Sequence, residues 1–139
     1  MRTVFADTVY WIALVNRRDR LHDSAVYLCS ELNSDLIVTS EMVLTEVLNH
    51  FSAGPPEFRY AASALVDRLN ASPCHKVIAQ TRGQFRDALR LYRQRPDKKW
   101  SLTDCASILI MQTEGIHEAL THDTHFAQAG FTALLRDAL

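Results

Sequence analysis

Four single acids in this chain have the residue type and spacing for shared chemistry. Asp7 closes the apolar run "TVFA", and Glu46 lies about two helical turns after "LIVT". Asp104 opens "CASILIM" directly after "SLT", and Asp123 stands two residues beyond "EALT". Each has a plain structural reading. Asp7 can cap the following helix, Ser101 with Asp104 fits the [ST]-x-x-[DE] capping box, and Asp123 can begin the turn "DTHF". Glu46 resists that reading. At about 100° per residue it falls between Met42 and His50, beside Val43, on a helix whose arc through Val47 and Phe51 is apolar. A lone carboxylate carried toward a core is costly unless it is paired or bound to a metal.

Two like charges about 4 Å apart repel by roughly 4 kcal/mol at an effective dielectric near 20, so four ionised acids in one crevice require cations. Their flanks, "FADTVY", "VLTEVLN", "SLTDCAS" and "THDTHF", contain no Lys or Arg. Oxygen ligands alone select a hard divalent ion, Mg²⁺ or Mn²⁺, over zinc. Such a site can polarise a phosphodiester, lower the pKa of a bound water and stabilise a leaving oxygen. His122 and His125 form an HxxH pair; with "DTHF" read as a turn, they are expected to support the acids or to lie at the surface, ranking below them as ligands.

The elements that would bring the acids together are legible as alternation. Short apolar runs at 3–6, 36–39, 76–79, 118–121 and 131–135 predict strands, separated by stretches of helical period, the pattern of βαβ units about a parallel sheet. Helical faces are carried by Ala25, Cys29 and Leu32, by Val43, Val47 and Phe51, by Phe58, Ala61, Ala62, Leu65 and Leu69, and by Phe85, Ala88, Leu89 and Tyr92. Residues 9–15 and 105–111 are apolar nearly all round and predict the two most buried helices. In open α/β sheets ligands bind beyond the carboxyl ends of the strands. Asp7, Glu46 and Asp123 follow strands, and Asp104 joins them if its helix runs antiparallel to the sheet.

Length and composition bound the remaining possibilities. A chain of 139 residues with 47% hydrophobic and 22% charged residues predicts one globular domain spanning 1–139. No apolar run nears the roughly 18 residues that cross a bilayer, and Asp7 interrupts any signal-peptide core, so a cytoplasmic protein without membrane attachment is expected. The three cysteines, Cys29, Cys74 and Cys105, lack CxxC spacing and are expected to be reduced core thiols. Net charge is -1 but uneven: residues 82–99 hold seven cations against two acids, net +5, which leaves the rest of the chain at -6. Arg82, Arg86, Arg90 and Arg93 recur at helical spacing, read as lying opposite Phe85, Leu89 and Tyr92. The cationic run continues through Lys98 and Lys99 to Trp100 and stops just before Asp104. Arg93, Lys98 and Lys99 are the expected phosphate contacts, and Trp100 the expected platform for an unpaired base. A solvated helix face would account for the outermost arginines.

At these residues the sequence resembles a PIN-domain ribonuclease, most closely the small VapC-type toxins of toxin–antitoxin pairs. The resemblance spans essentially the whole chain through Asp7, the "TE" of Thr45 and Glu46, the "LTD" of Leu102 to Asp104, and the string from Leu120 to Phe126. It implies a three-layer α/β/α fold with a central parallel sheet of about five strands. It further implies that Asp7, Glu46, Asp104 and Asp123 are Mg²⁺ or Mn²⁺ ligands of an endoribonuclease, that RNA is the substrate, that an antitoxin is a partner and that the protein is a homodimer. The helical region 42–69 is the expected partner surface. One departure bears on the site: relatives often carry a hydroxyl residue two places after the first Asp, where this chain has Val9. Thr8 is then the adjacent hydroxyl, with Thr103 and Thr121 as further supporting residues and Thr121 placed beside the last acid. Two other readings compete. A phosphoacceptor receiver domain also gathers acids at strand ends, but has adjacent acids after its first strand and a Lys after its last, which "FAD" and "FTALL" lack. An inactive RNA- or protein-binding module of the same fold would have no use for all four acids.

Overall fold

A computed structural model describes residues 1–135 of the chain. Five strands, β1 (Thr3–Ala6), β2 (Leu36–Ser40), β3 (His75–Ile78), β4 (Glu118–Leu120) and β5 (Thr132–Ala133), form one sheet in the order β3-β2-β1-β4-β5. Every pairing is parallel; Phe5 sits opposite Val38 on one side and Ala119 on the other. The strand order separates the fold from a receiver domain, whose doubly wound sheet runs 2-1-3-4-5. All five sequence-derived strands are present, with the last shortened to two residues.

Seven helices connect them: α1 (Thr8–Val15), α2 (His22–Glu31), α3 (Glu41–Phe51), α4 (Pro56–Ala71), α5 (Arg82–Gln94), α6 (Leu102–Glu114) and α7 (Thr124–Gln128). Helices α1 to α4 pack among themselves, as do α5 to α7, and the two groups meet where α3 approaches α6. This is the three-layer arrangement that a sheet apolar on both faces demands. Continuous apolar strands feed the larger core, in which Val4, Phe5, Val38, Ala119 and Leu120 lie under Tyr10, Trp11, Val43, Met111 and Phe126.

The two helices expected to be most buried are so. No residue of α1 is exposed, and α6 buries eight residues from Thr103 to Met111. Full burial of each large apolar side chain contributes roughly 1.5–3 kcal/mol, so Ile108, Ile110 and Met111 hold the first turn of α6 firmly in register. Gly115 ends α6 in the left-handed region at φ 68°, which a side chain would strain. Two differences from the sequence reading arise here. The turn expected at "DTHF" is helix α7, nucleated by Asp123, whose carboxylate accepts from the His125 amide at 2.9 Å. Cys29 and Cys74 are exposed rather than core thiols, because they fall on the solvent side of α2 and in the turn before β3; only Cys105 is buried.

Candidate active site

The site begins with the carboxyl end of β1. Its pairing with β4 runs one residue past the strand, the Asp7 amide donating to the Leu120 carbonyl at 3.2 Å. On the other side, the buried Thr39 hydroxyl donates to the Ala6 carbonyl at 2.8 Å and accepts from the Trp11 indole at 3.1 Å. Asp7 is thereby fixed from both neighbouring strands while only 5% exposed. It occupies the N-cap position of α1 but makes no side-chain capping bond to that helix. Instead Oδ2 accepts from the Thr121 hydroxyl at 2.9 Å.

The same Thr121 oxygen accepts from the Asp123 amide at 3.0 Å. One buried hydroxyl therefore ties the first acid to the backbone of the last. Thr8, the hydroxyl adjacent to Asp7, serves the second acid: it donates to Glu46 Oε1 at 2.6 Å. Glu46 is half-buried on α3, which Ser40 caps by accepting from the Val43 amide, and α3 lies against α1. Thr103 is buried in the first turn of α6.

Asp104 has the capping role and has room for another. Ser101 Oγ accepts from its amide and its Oδ2 accepts from the Ser101 amide, both at 3.0 Å, a complete capping box. Both the cap and the His125 contact use Oδ2, which leaves Oδ1 for a further ligand. His125 Nδ1 stands 3.0 Å from Asp104 Oδ2 and 3.0 Å from Asp123 Oδ2. Donor atoms of Asp104, Asp123 and His125 all lie within 4.8 Å of one another, a spacing that can hold a metal ion.

Electrostatics couples the remaining pair to this cluster. Burial pushes the Asp7 carboxyl up to about 7, and the charges of Asp104 and Glu46 push in the same direction. The Thr8 amide and the Thr121 hydroxyl hold it down, less strongly. Among the described residues no Lys or Arg forms a salt bridge with any of the four acids; the bidentate pair of Arg2 with Glu118 at 2.8 Å joins the amino ends of β1 and β4, away from the acids. Crowded oxygen donors with no Lys or Arg partner, and one imidazole beside two of them, suit a hard divalent cation.

The sequence reading ranked His125 below the acids and did not pair it with two of them. Its position depends on α7, and the Asp-x-His spacing on a capped helical turn was the signal that pointed there. Thr39 was missed; nothing local marks a strand Thr as the pin for a neighbouring strand's end. The basic residues Arg93, Lys98 and Lys99 line a cleft of about 530 Å³ that reaches Ser101. Trp100 lines it too, but is only 7% exposed, packs with Met42, Ala88 and Cys105, and has the Arg95 guanidinium 5.4 Å from its ring. The exposed aromatic ring of that cleft belongs to Tyr92.

A model of the PIN domain matches residues 4–132. The chain belongs to the PIN-domain family. Among characterised PIN-domain relatives, it is 30% identical over 131 residues to the 23S rRNA-specific endonuclease VapC20 of two Mycobacterium tuberculosis strains, an alignment covering 92% of this chain and 95% of the relative. The crystal structure of M. tuberculosis VapC20, a Sarcin-Ricin loop cleaving toxin, superposes with a TM-score of 0.78 at 26% identity, covering 93% of this chain and 96% of the other. The PIN-domain match extends across the strands and helices that carry Asp7, Glu46, Asp104 and Asp123.

Proposed function

We propose that this PIN-domain protein is a divalent-metal-dependent endoribonuclease and the toxin of a type II toxin–antitoxin pair. The observation that carries the reading is the cluster of Asp104, Asp123 and His125 donor atoms within 4.8 Å of one another, with the charges of Asp104 and Glu46 acting on the buried Asp7 and no Lys or Arg salt bridge to these acids among the described residues. The relatives named for cleavage of 23S rRNA support RNA as the substrate class.

In this reading Asp7, Glu46, Asp104 and Asp123 hold Mg²⁺ or Mn²⁺. When bound, the ion supplies Lewis acidity at a phosphate oxygen, a water of lowered pKa and charge compensation for the leaving oxygen. The protein's own part is placement. Thr121 keeps Asp7 and the Asp123 backbone in fixed relation, Thr8 orients Glu46, and the capping box with His125 restricts Asp104 to one rotamer. Ligands locked by packing and hydrogen bonds lose little entropy when the ion arrives. Arg93, Lys98 and Lys99 bind phosphates of the RNA on the approach to the metal site. The proposed partners are an antitoxin and a second copy of the chain, with α3 and α4 as their surface; Leu48 and Tyr60 are exposed there.

Cleavage of a mixed RNA pool by purified protein with Mn²⁺ tests the reading. Activity lost in chelator, and lost in Asp7→Asn and Asp104→Asn while both variants melt at or above the wild-type temperature, is the expected result. A folded protein that binds no divalent ion and cuts no RNA removes the ribonuclease reading.

A further inference from the structure

Helix α5 presents a face that the site does not explain. At about 100° per residue, Arg82, Arg86, Arg90 and Arg93 fall within an arc of about 80°. Phe85, Leu89 and Tyr92 fall on the adjoining arc, not on the opposite one expected from their alternation. The side of α5 facing the core is carried by Ala88, its one fully buried residue. Two aromatic rings are consequently left at the surface, Phe85 at 42% and Tyr92 at 51% exposure, beside a row of guanidinium groups.

Two grooves run along this face. One, of about 420 Å³, is lined by Arg86, Leu89, Arg90, Arg93 and Gln94. The other is the cleft of about 530 Å³ that includes Tyr92, Arg93, Lys98, Lys99 and Ser101. Arg93 lines both, so the two grooves adjoin at that side chain and together make an extended path. The path ends at Ser101, whose hydroxyl and amide are bonded to Asp104. Arg86 to Arg93 spans about 10 Å of helix, so the path is longer than one phosphate group.

The cations of this path are largely uncommitted. Arg95 is held by Asp97 at 2.9 Å and Arg90 loosely by Asp87 at 3.5 Å. Among the described residues, Arg86, Arg93, Lys98 and Lys99 form no salt bridge. They sit in the segment of charge +5 on a chain that is otherwise -6. A polyanion is therefore attracted here and repelled elsewhere.

We propose that α5 and the α5–α6 connection form a track for unpaired RNA, continuous with the carboxylate site. Backbone phosphates lie against Arg86, Arg93, Lys98 and Lys99, and a base stacks on Tyr92. An unpaired strand, rather than a duplex, fits because only splayed bases offer a face to a ring at the groove wall. The track rests on the ribonuclease reading for its purpose, but its binding chemistry can be measured independently.

The test uses full-length Asp7→Asn protein, in which binding is followed without cleavage, and a fluorescein-labelled RNA hairpin with a large unpaired loop. A fully paired RNA duplex and an oligoglutamate peptide serve as competitors. Arg86→Gln with Arg93→Gln should flatten the slope of log K against log salt by about 1.4, two phosphate contacts at roughly 0.7 each. Tyr92→Ala should weaken binding about 5- to 150-fold without changing that slope, and Tyr92→Phe should restore it. The duplex and the peptide should compete poorly. An unchanged slope in the arginine variant overturns the track, as does duplex binding equal to hairpin binding and indifferent to Tyr92→Ala, or an effect confined to the peptide. Cleavage of the hairpin by protein with intact acids is read in parallel. Cleavage with unaltered variant binding leaves the nuclease standing and the track refuted; the stated binding pattern without any cleavage does the reverse.

Discussion

Replacing Asp7 by Asn should stabilise the metal-free protein, by an amount that depends on pH in a defined direction. The carboxyl titrates near 3.8 when the chain is unfolded and near 7 in the fold. A raised carboxylate pKa means that the native state holds its proton over a range where the unfolded state has released it. The folded state is therefore not penalised below about pH 4, and the penalty grows as pH rises to about 7, reaching about 4 kcal/mol at 1.36 kcal/mol per pKa unit. Asn has no charge to bury, and its side-chain oxygen can still accept from Thr121. Urea unfolding in EDTA should show wild type and Asp7→Asn close in stability at pH 4 and separated by about 4 kcal/mol, roughly 10 °C in melting temperature, at pH 8. Saturating Mg²⁺ or Mn²⁺ should shrink or invert the gap, because the ion stabilises only the protein that binds it. If Asp7→Asn is less stable than wild type in EDTA at pH 8, or if the gap is the same at both pH values, the description of Asp7 as a buried and repelled charge is wrong.

Four further outcomes follow from the same geometry. Thr121→Val removes the hydroxyl shared by Asp7 and the Asp123 amide, leaving a buried donor unpaired; chemical unfolding should record a loss of about 1–3 kcal/mol, with RNA cleavage reduced at all metal concentrations. His125→Ala should leave the fold intact and release Asp104 from one of its constraints, seen by titration calorimetry as weaker Mn²⁺ binding, about 10- to 100-fold if the imidazole acts as an orienting partner. Ser101→Ala breaks the capping box at a cost of about 1 kcal/mol in thermal unfolding, while Asp104→Asn should keep or raise the melting temperature and abolish cleavage, separating the two roles of that turn. Gly115→Ala meets open space but a left-handed backbone, so it should cost about 1–2 kcal/mol in unfolding free energy with cleavage by the folded enzyme unchanged.

The fold was legible because its local and global signals agree. Short strands and helices with one apolar face admit few arrangements other than a buried parallel sheet, and the two most buried helices, α1 and α6, carry Asp7 at the cap and Asp104 in the first turn. Glu46 could be singled out because a charge beside an apolar helical arc is a local anomaly. What could not be read depends on contacts across the chain. Thr121 was placed beside the last acid, yet its hydroxyl points to the first, 114 residues away, because β4 pairs with β1. His125 joins two acids only once Asp123 has turned the chain into α7. Trp100 and the two exposed cysteines show the limit of residue type as a guide to burial. Trp100 is drawn into the small core between α5 and α6, whereas Cys29 and Cys74 lie at the surface.

The most direct measurement is RNA cleavage by the stripped, purified protein as Mn²⁺ or Mg²⁺ is titrated in, with Asp7→Asn and Asp104→Asn in parallel and the fold of each verified by melting. The four-carboxylate account predicts no cleavage without the ion, saturable cleavage with it, and none from either variant although both stay folded. Cleavage that persists in chelator, or that survives the loss of either carboxylate, would contradict it.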